Sequence, residues 1–260
     1  MSRLLLRVAY DGTGYAGWQR QENGPSVQGA LEHALEPLAG APVVVHGAGR
    51  TDAGVHAEAQ AAHVDLPAGV TADVALRAAN ARLPPEIRVR SAEVVPDTVH
   101  ARYSAVSKTY RYAWLVSPVG HPLLARTTCL VAPRLDLRAM GVAAGRLAGT
   151  HDFAAFQSAG SDVSRTVRTL TGVDLSVRTG DDLPVALQAG ERIVELEMTG
   201  DGFLRHMVRA IAGTLLDVAY GRRSADDLAR LLAGAPRSEA GPNAPAHGLT
   251  LVRVRYPHDV

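Results

Sequence analysis

The sequence predicts an α+β protein built from two copies of one element order. Three observations carry this expectation. The 260-residue chain is 47% hydrophobic and 20% charged, enough apolar matter to bury a sizeable core and too little charge for a disordered chain. Stretches of alternating hydrophobicity are interleaved with stretches of helical spacing. The order strand, helix, strand, strand, helix, strand runs once before a short link near His100 to Ala105 and begins again after it. That is the split βαβ order, in which a mainly antiparallel sheet carries helices on one face. The expected domains are residues 1–104 and 105–260. The repeat is one of element order, without matching residues.

Leu4 to Tyr10 alternates as a strand, and Asp11 to Pro25 is rich in glycine and turn residues. Ser26 then stands as an N-cap, with Val27, Ala30, Leu31, Ala34, Leu35 and Leu38 at helical spacing up to Gly40. Val43 to His46 is a short β-branched run, Gly47 to Gly54 a loop, and Ala57 to Leu66 a strand. Thr71 to Leu83 reads as a helix stopped by Pro84 and Pro85, and Ile87 to Val95 as a strand. In the second half Lys108 to Val116 is a strand, Asp136 to Leu147 a helix, and Thr166 to Val177 and Arg192 to Met198 two strands. Phe203 to Tyr220 is a helix and Leu249 to Val254 a strand. A short helix at Ala225 to Leu232 opens on a capping box of Ser224 and Asp227.

Composition excludes several classes. The single cysteine, Cys129, rules out an intramolecular disulfide framework and a CxxC site, and reads as a small buried apolar residue. No apolar run approaches the ~18 residues of a membrane span, and the strand-like start carries Arg3 and Arg7. The expectation is a cytoplasmic protein without membrane contact. A net charge of +1 taken alone argues against a polyanion partner. Of the 27 cationic residues only Lys108 is lysine; arginine forks suit phosphate, although a GC-rich genome would bias codons the same way.

Gly12, Gly14 and Gly17 form a GxGxxG after a predicted strand. A dinucleotide site needs a helix to open at the third glycine, and Trp18 to Pro25 lacks an apolar helical stripe. The glycines instead let a loop approach a ligand or another backbone closely. The segment Gly49-Arg50-Thr51-Asp52-Ala53-Gly54-Val55-His56 sits between two predicted strands, with a cation two residues before its single acid. Asp52 is either a turn residue bonding its own backbone or a carboxylate held at a loop tip to attack an electrophilic carbon. Spacing alone does not choose.

The residues also carry a resemblance. Val8 to Thr13 with Gly17-Trp18-Gln19, the octapeptide at 49–56, His100 to Ala105 and Lys108 to Tyr112 resemble the signature of the TruA family of tRNA pseudouridine synthases. His151-Asp152-Phe153, Phe203 to Arg209 and Ala244 to Leu249 continue it in family order, so it spans nearly the whole chain. Two positions depart from the pattern: Ala210 stands where asparagine is expected, and Ser164-Arg165-Thr166 where a Ser-Pro pair is commoner.

The resemblance implies two ferredoxin-like domains forming a pseudouridine-synthase-type fold with a central cleft. It implies conversion of uridine to pseudouridine at positions 38, 39 and 40 of the tRNA anticodon stem-loop, by a homodimer without cofactor or metal. Asp52 is then the nucleophile, and whether it attacks C1′ of the sugar or C6 of the base stays open. Tyr110 matches the tyrosine that stacks on the target base and can assist removal of the C5 proton. Arg209 matches the arginine that pairs with the catalytic carboxylate. In a helix from 203 to 220, Arg205 would share its face, opposite a buried stripe of Leu204, Val208, Ile211 and Leu215. Arg50, Lys108, Arg111 and Arg205 are the expected phosphate contacts. His56 is expected to bond within its loop.

Charge placement fits such a partner better than net charge does. Residues 1–104 carry nine cations and eleven acids, and residues 105–260 eighteen and fifteen. Thr98 to Leu135 holds five cations and no acid. A stacked uridine must be flipped out at roughly a few kcal/mol, offset by backbone contacts and pocket stacking. Two other readings, a catalytically silent RNA-binding module and a nucleotide-dependent oxidoreductase, fare worse. A pure binder needs no nucleophile, and the GxGxxG lacks its helix.

Overall fold

The computed structural model describes residues 1–22, 24–158, 163–180, 183 and 185–257. In chain order the elements are β1 (Ser2–Tyr10), α1 (Val27–Ala39), β2 (His46–Gly47), β3 (His56–Leu66), α2 (Ala72–Arg82), β4 (Ile87–Val95), β5 (Ser107–Val116), β6 (Cys129–Val131) and α3 (Leu137–Gly145). They continue with β7 (Gly149–Asp152), β8 (Val167–Arg178), β9 (Arg192–Gly200), α4 (Met207–Ala219), α5 (Asp227–Leu231) and β10 (Leu249–Arg255). This is a mixed α/β chain whose strand pairings are mainly antiparallel. It divides into two compact units, Met1–Lys108 with Thr250–Val260, and Thr109–Leu249.

In the first unit the strand order is β4-β1-β3-β10, with β2 on β3. β1 lies antiparallel to both β3 and β4, and β10 joins β3 in parallel through Thr250 opposite His56. The capping residues act as their chemistry requires. The Ser26 hydroxyl accepts from the Gly29 N–H at 3.1 Å, and Gly40 closes α1 at φ 65°, a backbone angle that costs glycine little. Val27, Leu31, Ala34 and Leu35 are buried, and the larger of these contribute roughly 1.5–3 kcal/mol each. α2 is tied to β4 through Asn80, whose amide donates to the Val89 carbonyl and accepts from its N–H. β10 is held by the Arg7 guanidinium on the Val254 carbonyl, and just beyond it the Tyr256 hydroxyl donates to the Ala101 carbonyl at 2.6 Å.

In the second unit the order is β5-β9-β8-β7, with β6 parallel to β5. Its core is aromatic: Tyr112, Trp114, Phe153 and Phe156 are fully buried, with Met140 and Leu147 beside them in that class. The Tyr112 hydroxyl donates to the Pro245 carbonyl at 2.9 Å, and a Cβ on Gly248 would come within 2.7 Å of the same ring. The turn at 245–248 is thus built against Tyr112. Cys129 is buried, and desolvation raises its thiol pKa, as befits a small core residue.

Two expectations need correction, and two short strands go unread. The helix expected from Phe203 begins at Met207, because His206 adopts a left-handed backbone with φ 62° that a helix cannot continue through. The β-branched run before the first loop pairs only at His46 and Gly47. β6 and β7, three and four residues long, carry too little alternation to be read from sequence.

Candidate active site

The loop between β2 and β3 carries Asp52, and it is fastened along its length to the first unit. Ala48 N–H donates to the Ala61 carbonyl at 2.7 Å, and the Gln60 amide to the Gly49 carbonyl at 2.9 Å. The Tyr10 hydroxyl bonds the Thr51 hydroxyl at 2.8 Å, and Trp18 N–H donates to the Thr51 carbonyl at 3.0 Å. Val55 N–H closes the turn on the Asp52 carbonyl at 3.2 Å. Gly54, at φ 78°, supplies the left-handed step of that turn. Each bond contributes about 1 kcal/mol, and together they fix the backbone on both sides of a partly exposed carboxylate.

The glycines of the decoy motif belong to this fastening. A Cβ on Gly12 would overlap the Val55 carbonyl oxygen, and one on Gly17, at φ 107°, would sit 2.5 Å from the Thr51 carbonyl oxygen. A Cβ on Gly14 would meet nothing within 4 Å. The first and third glycines therefore let the 12–17 segment lie against the backbone of the Asp52 loop. Behind them Trp18 is buried against Gly47 and Tyr10. Burial pushes the Tyr10 phenol up to about 12, so it acts as a neutral hydrogen-bonding strut. His56 accepts from Gly12 N–H at its Nδ1 and lies 3.2 Å from Asp11, so it bonds to the start of the glycine segment rather than within its own loop.

Two expected cations adjoin this loop. Arg50 is exposed on it. Lys108 approaches Gly49 closely enough that a Cβ there would lie 3.3 Å from its Nζ. Burial, with a contribution from the Arg102 charge, lowers the Lys108 pKa to about 8, so the ammonium is charged at neutral pH but easily discharged.

The second unit carries the other named residues. Tyr110 is 8% exposed, its ring edge-to-face with Phe203 at 4.9 Å between centroids. The adjacent Thr109 hydroxyl bonds that of Thr199 at 2.8 Å. Arg111 lies 3.7 Å from Glu195, a carboxylate it shares with Arg178. Arg209 stands in the first turn of α4 with its Nε donating to the Ala244 carbonyl at 2.8 Å, while Ala244 N–H returns a bond to the Arg209 carbonyl at 2.9 Å. Ahead of α4, His206 Nδ1 meets the Ser158 hydroxyl at 2.5 Å and the Asn243 amide at 3.3 Å. Because α4 begins at Met207, Arg205 precedes the helix, is exposed, and does not share the helical face of Arg209 that was expected. Leu204, Val208, Ile211 and Leu215 are buried as expected. Ala210, at the departure from the family pattern, is fully buried and brings no polar side chain needing a partner.

Each unit thus assembles its own share. Arg50, Asp52 and Lys108 gather on and beside one loop, and Tyr110 and Arg209 are braced by Phe203 and by Ala244. Phe203, His206, Asn243 and Ala244 received no role from sequence reasoning, although Phe203, His206 and Ala244 lie in the matching blocks; their partners are distant along the chain. Among the described residues no three His, Cys, Asp or Glu side chains are grouped as a metal site, and no helix is long and apolar enough to cross a membrane.

The fold and these motifs define a class, and comparison with known proteins states it. The profile of the tRNA pseudouridine synthase family matches residues 7–104 and 143–257. The tRNA pseudouridine synthase A of Syntrophotalea carbinolica is 44% identical over 98% of this chain and 97% of its own length. Those of Ruminiclostridium cellulolyticum and Oleidesulfovibrio alaskensis are 40% and 43% identical, over 98% and 100% of this chain and 100% and 98% of their own lengths. The chain belongs to the tRNA pseudouridine synthase family, and is by that membership an isomerase that forms pseudouridine.

Proposed function

We propose that the protein isomerises uridine to pseudouridine at positions 38, 39 and 40 of the anticodon stem-loop of tRNAs, with Asp52 as nucleophile on a flipped-out base. The observation that carries this reading is the Asp52 loop. The backbone on both sides of a partly exposed carboxylate is held by hydrogen bonds and packed against Gly12 and Gly17, more fastening than a surface turn requires. The reaction breaks the N1–C1′ bond, forms a C5–C1′ bond, removes the C5 proton and returns a proton to N1, so nothing is oxidised or reduced and no cofactor is needed. A covalent adduct with Asp52 divides this into easier steps while the base turns. Tyr110 stacks on the base and assists loss of the C5 proton, its plane set by Phe203. Arg209, steered by the Ala244 carbonyl, pairs with the carboxylate.

Arg50, Lys108 and Arg205 contact phosphates, and Arg111 joins them from its place beside Glu195. Each half of the chain is a ferredoxin-like domain. In the first, β1 lies between β3 and β4 and β2 borders β3; in the second, the order β5-β9-β8 supports the same arrangement. The domains are residues 1–104 and 105–260 as drawn from sequence, and the enzyme works as a cytoplasmic homodimer. The test incubates the protein with unmodified tRNA tritiated at uridine C5. Tritium is expected in solvent without added cofactor, with none from Asp52→Ala or Asp52→Asn while tRNA binding persists. Release surviving either substitution removes Asp52 from its role.

A further inference from the structure

Beside the Asp52 loop, the first unit presents an exposed aromatic that the reaction does not use. Tyr103 is 76% exposed, yet the loop that carries it is not loose. His100 N–H is accepted by the Ser104 hydroxyl at 3.0 Å, and Ser104 N–H donates back to the His100 carbonyl at 2.9 Å. The His100 Nδ1 accepts from Arg102 N–H at 3.1 Å, and the His63 Nδ1 accepts from Ala101 N–H at 3.1 Å. At the base of the loop Arg3, paired to Asp65 through both Nε and Nη2 at 2.8 Å, also donates to the Val99 carbonyl at 3.1 Å.

The rings continue this order. His46 stacks on His63 at 4.8 Å, His63 meets His100 edge-on at 4.6 Å, and His100 lies 4.4 Å from the Tyr103 ring. Burial first, then the neighbouring His100, Arg3 and His46, pushes the His63 pKa down to about 4, so its ring stays neutral and keeps accepting at physiological pH. The Arg102 guanidinium lies over Tyr103 at 5.7 Å. Arg102 also acts on Lys108, which in turn abuts Gly49 of the Asp52 loop. Tyr103, Arg102, Lys108 and the catalytic loop therefore form one cationic track, and the chain from Thr98 to Leu135 contributes no acid to it.

We propose that Tyr103 is a stacking platform for an unpaired nucleobase of the RNA substrate, with Arg102 and Lys108 taking the phosphates between that base and the target uridine. A rigid aromatic face with an arginine over it suits any base, because every base has a π-face, and the neighbouring cations match a phosphate chain. The inference rests on the functional reading above.

The experiment measures the Kd for unmodified tRNA by filter binding, together with single-turnover tritium release at saturating tRNA. Tyr103→Ala is expected to weaken binding about tenfold or more, and Tyr103→Phe, which keeps the face, to stay within about twofold of wild type. Both should keep the saturated single-turnover rate. Arg102→Ala should reduce the slope of log Kd against log salt by about one. A Tyr103→Ala protein that binds tRNA like an active wild type overturns the proposal. So does one whose only change is a shift in sedimentation without RNA, which would make the patch a contact between copies. Wild-type protein that releases no tritium overturns the functional reading and this inference with it.

Discussion

Lys108 shows how much one side chain can carry. With its pKa lowered to about 8 by burial and Arg102, it is charged at pH 7 and largely neutral at pH 9. The Kd for tRNA should therefore rise about tenfold between those values as a charge-assisted phosphate contact is lost, and Lys108→Arg should flatten the profile. Stability moves the other way. Between about 8 and the ordinary lysine value the unfolded chain binds more protons than the folded one, so the cost of burying this ammonium is relieved as pH rises. Filter binding and urea titration across pH 7 to 9 would register the two opposite slopes. Asp52 could be singled out from sequence because its signals are local: flanking glycines, a nearby cation and a specific octapeptide. Arg205 was misplaced for an equally local reason. Nothing in Phe203 to Met207 announces that His206 takes φ 62°, and without that knowledge a helical wheel puts Arg205 beside Arg209.

At the level of elements, caps were the reliable guide. Ser26 and Gly40 bracket α1 where turn chemistry placed them, while Thr71 and Asp136, read as first residues of their helices, turn out to cap α2 and α3 by accepting from Val74 N–H and Ala139 N–H. β2, β6 and β7 are held by pairing rather than by their own pattern, which is why a short β-branched run predicts them poorly. The GxGxxG segment was excluded as a cofactor site because no helix follows it. Its actual task, close approach to another backbone, was legible as a possibility and needed the fold to name the partner. The two tasks separate by mutation. Gly12→Ala forces Cβ into the Val55 carbonyl and should lower stability by about 2–4 kcal/mol and tritium release about a hundredfold. Gly14→Ala, with open space around it, should change stability by less than about 0.5 kcal/mol and leave release intact. Urea midpoints and initial rates for this pair compare glycines two residues apart.

For the molecule as a whole, a net charge of +1 conceals an uneven distribution, nine cations against eleven acids before residue 105 and eighteen against fifteen after it. Arg50, Arg102, Lys108, Arg111 and Arg205 together predict a slope of log Kd against log salt of about 4 for tRNA; binding indifferent to salt would contradict a phosphate-led interface. The overall pattern of strands and helices could be read from sequence, but not the sheet that β10 joins, because alternation marks a strand without naming its neighbour. That neighbour is β3, through Thr250 opposite His56, at the end of the Asp52 loop. The strand beside the Asp52 loop is thus synthesised long after the loop itself. A nascent chain still short of Leu249 has Asp52 but not the strand beside its loop, so emergence of the C-terminal segment sets the moment at which a competent enzyme can first exist.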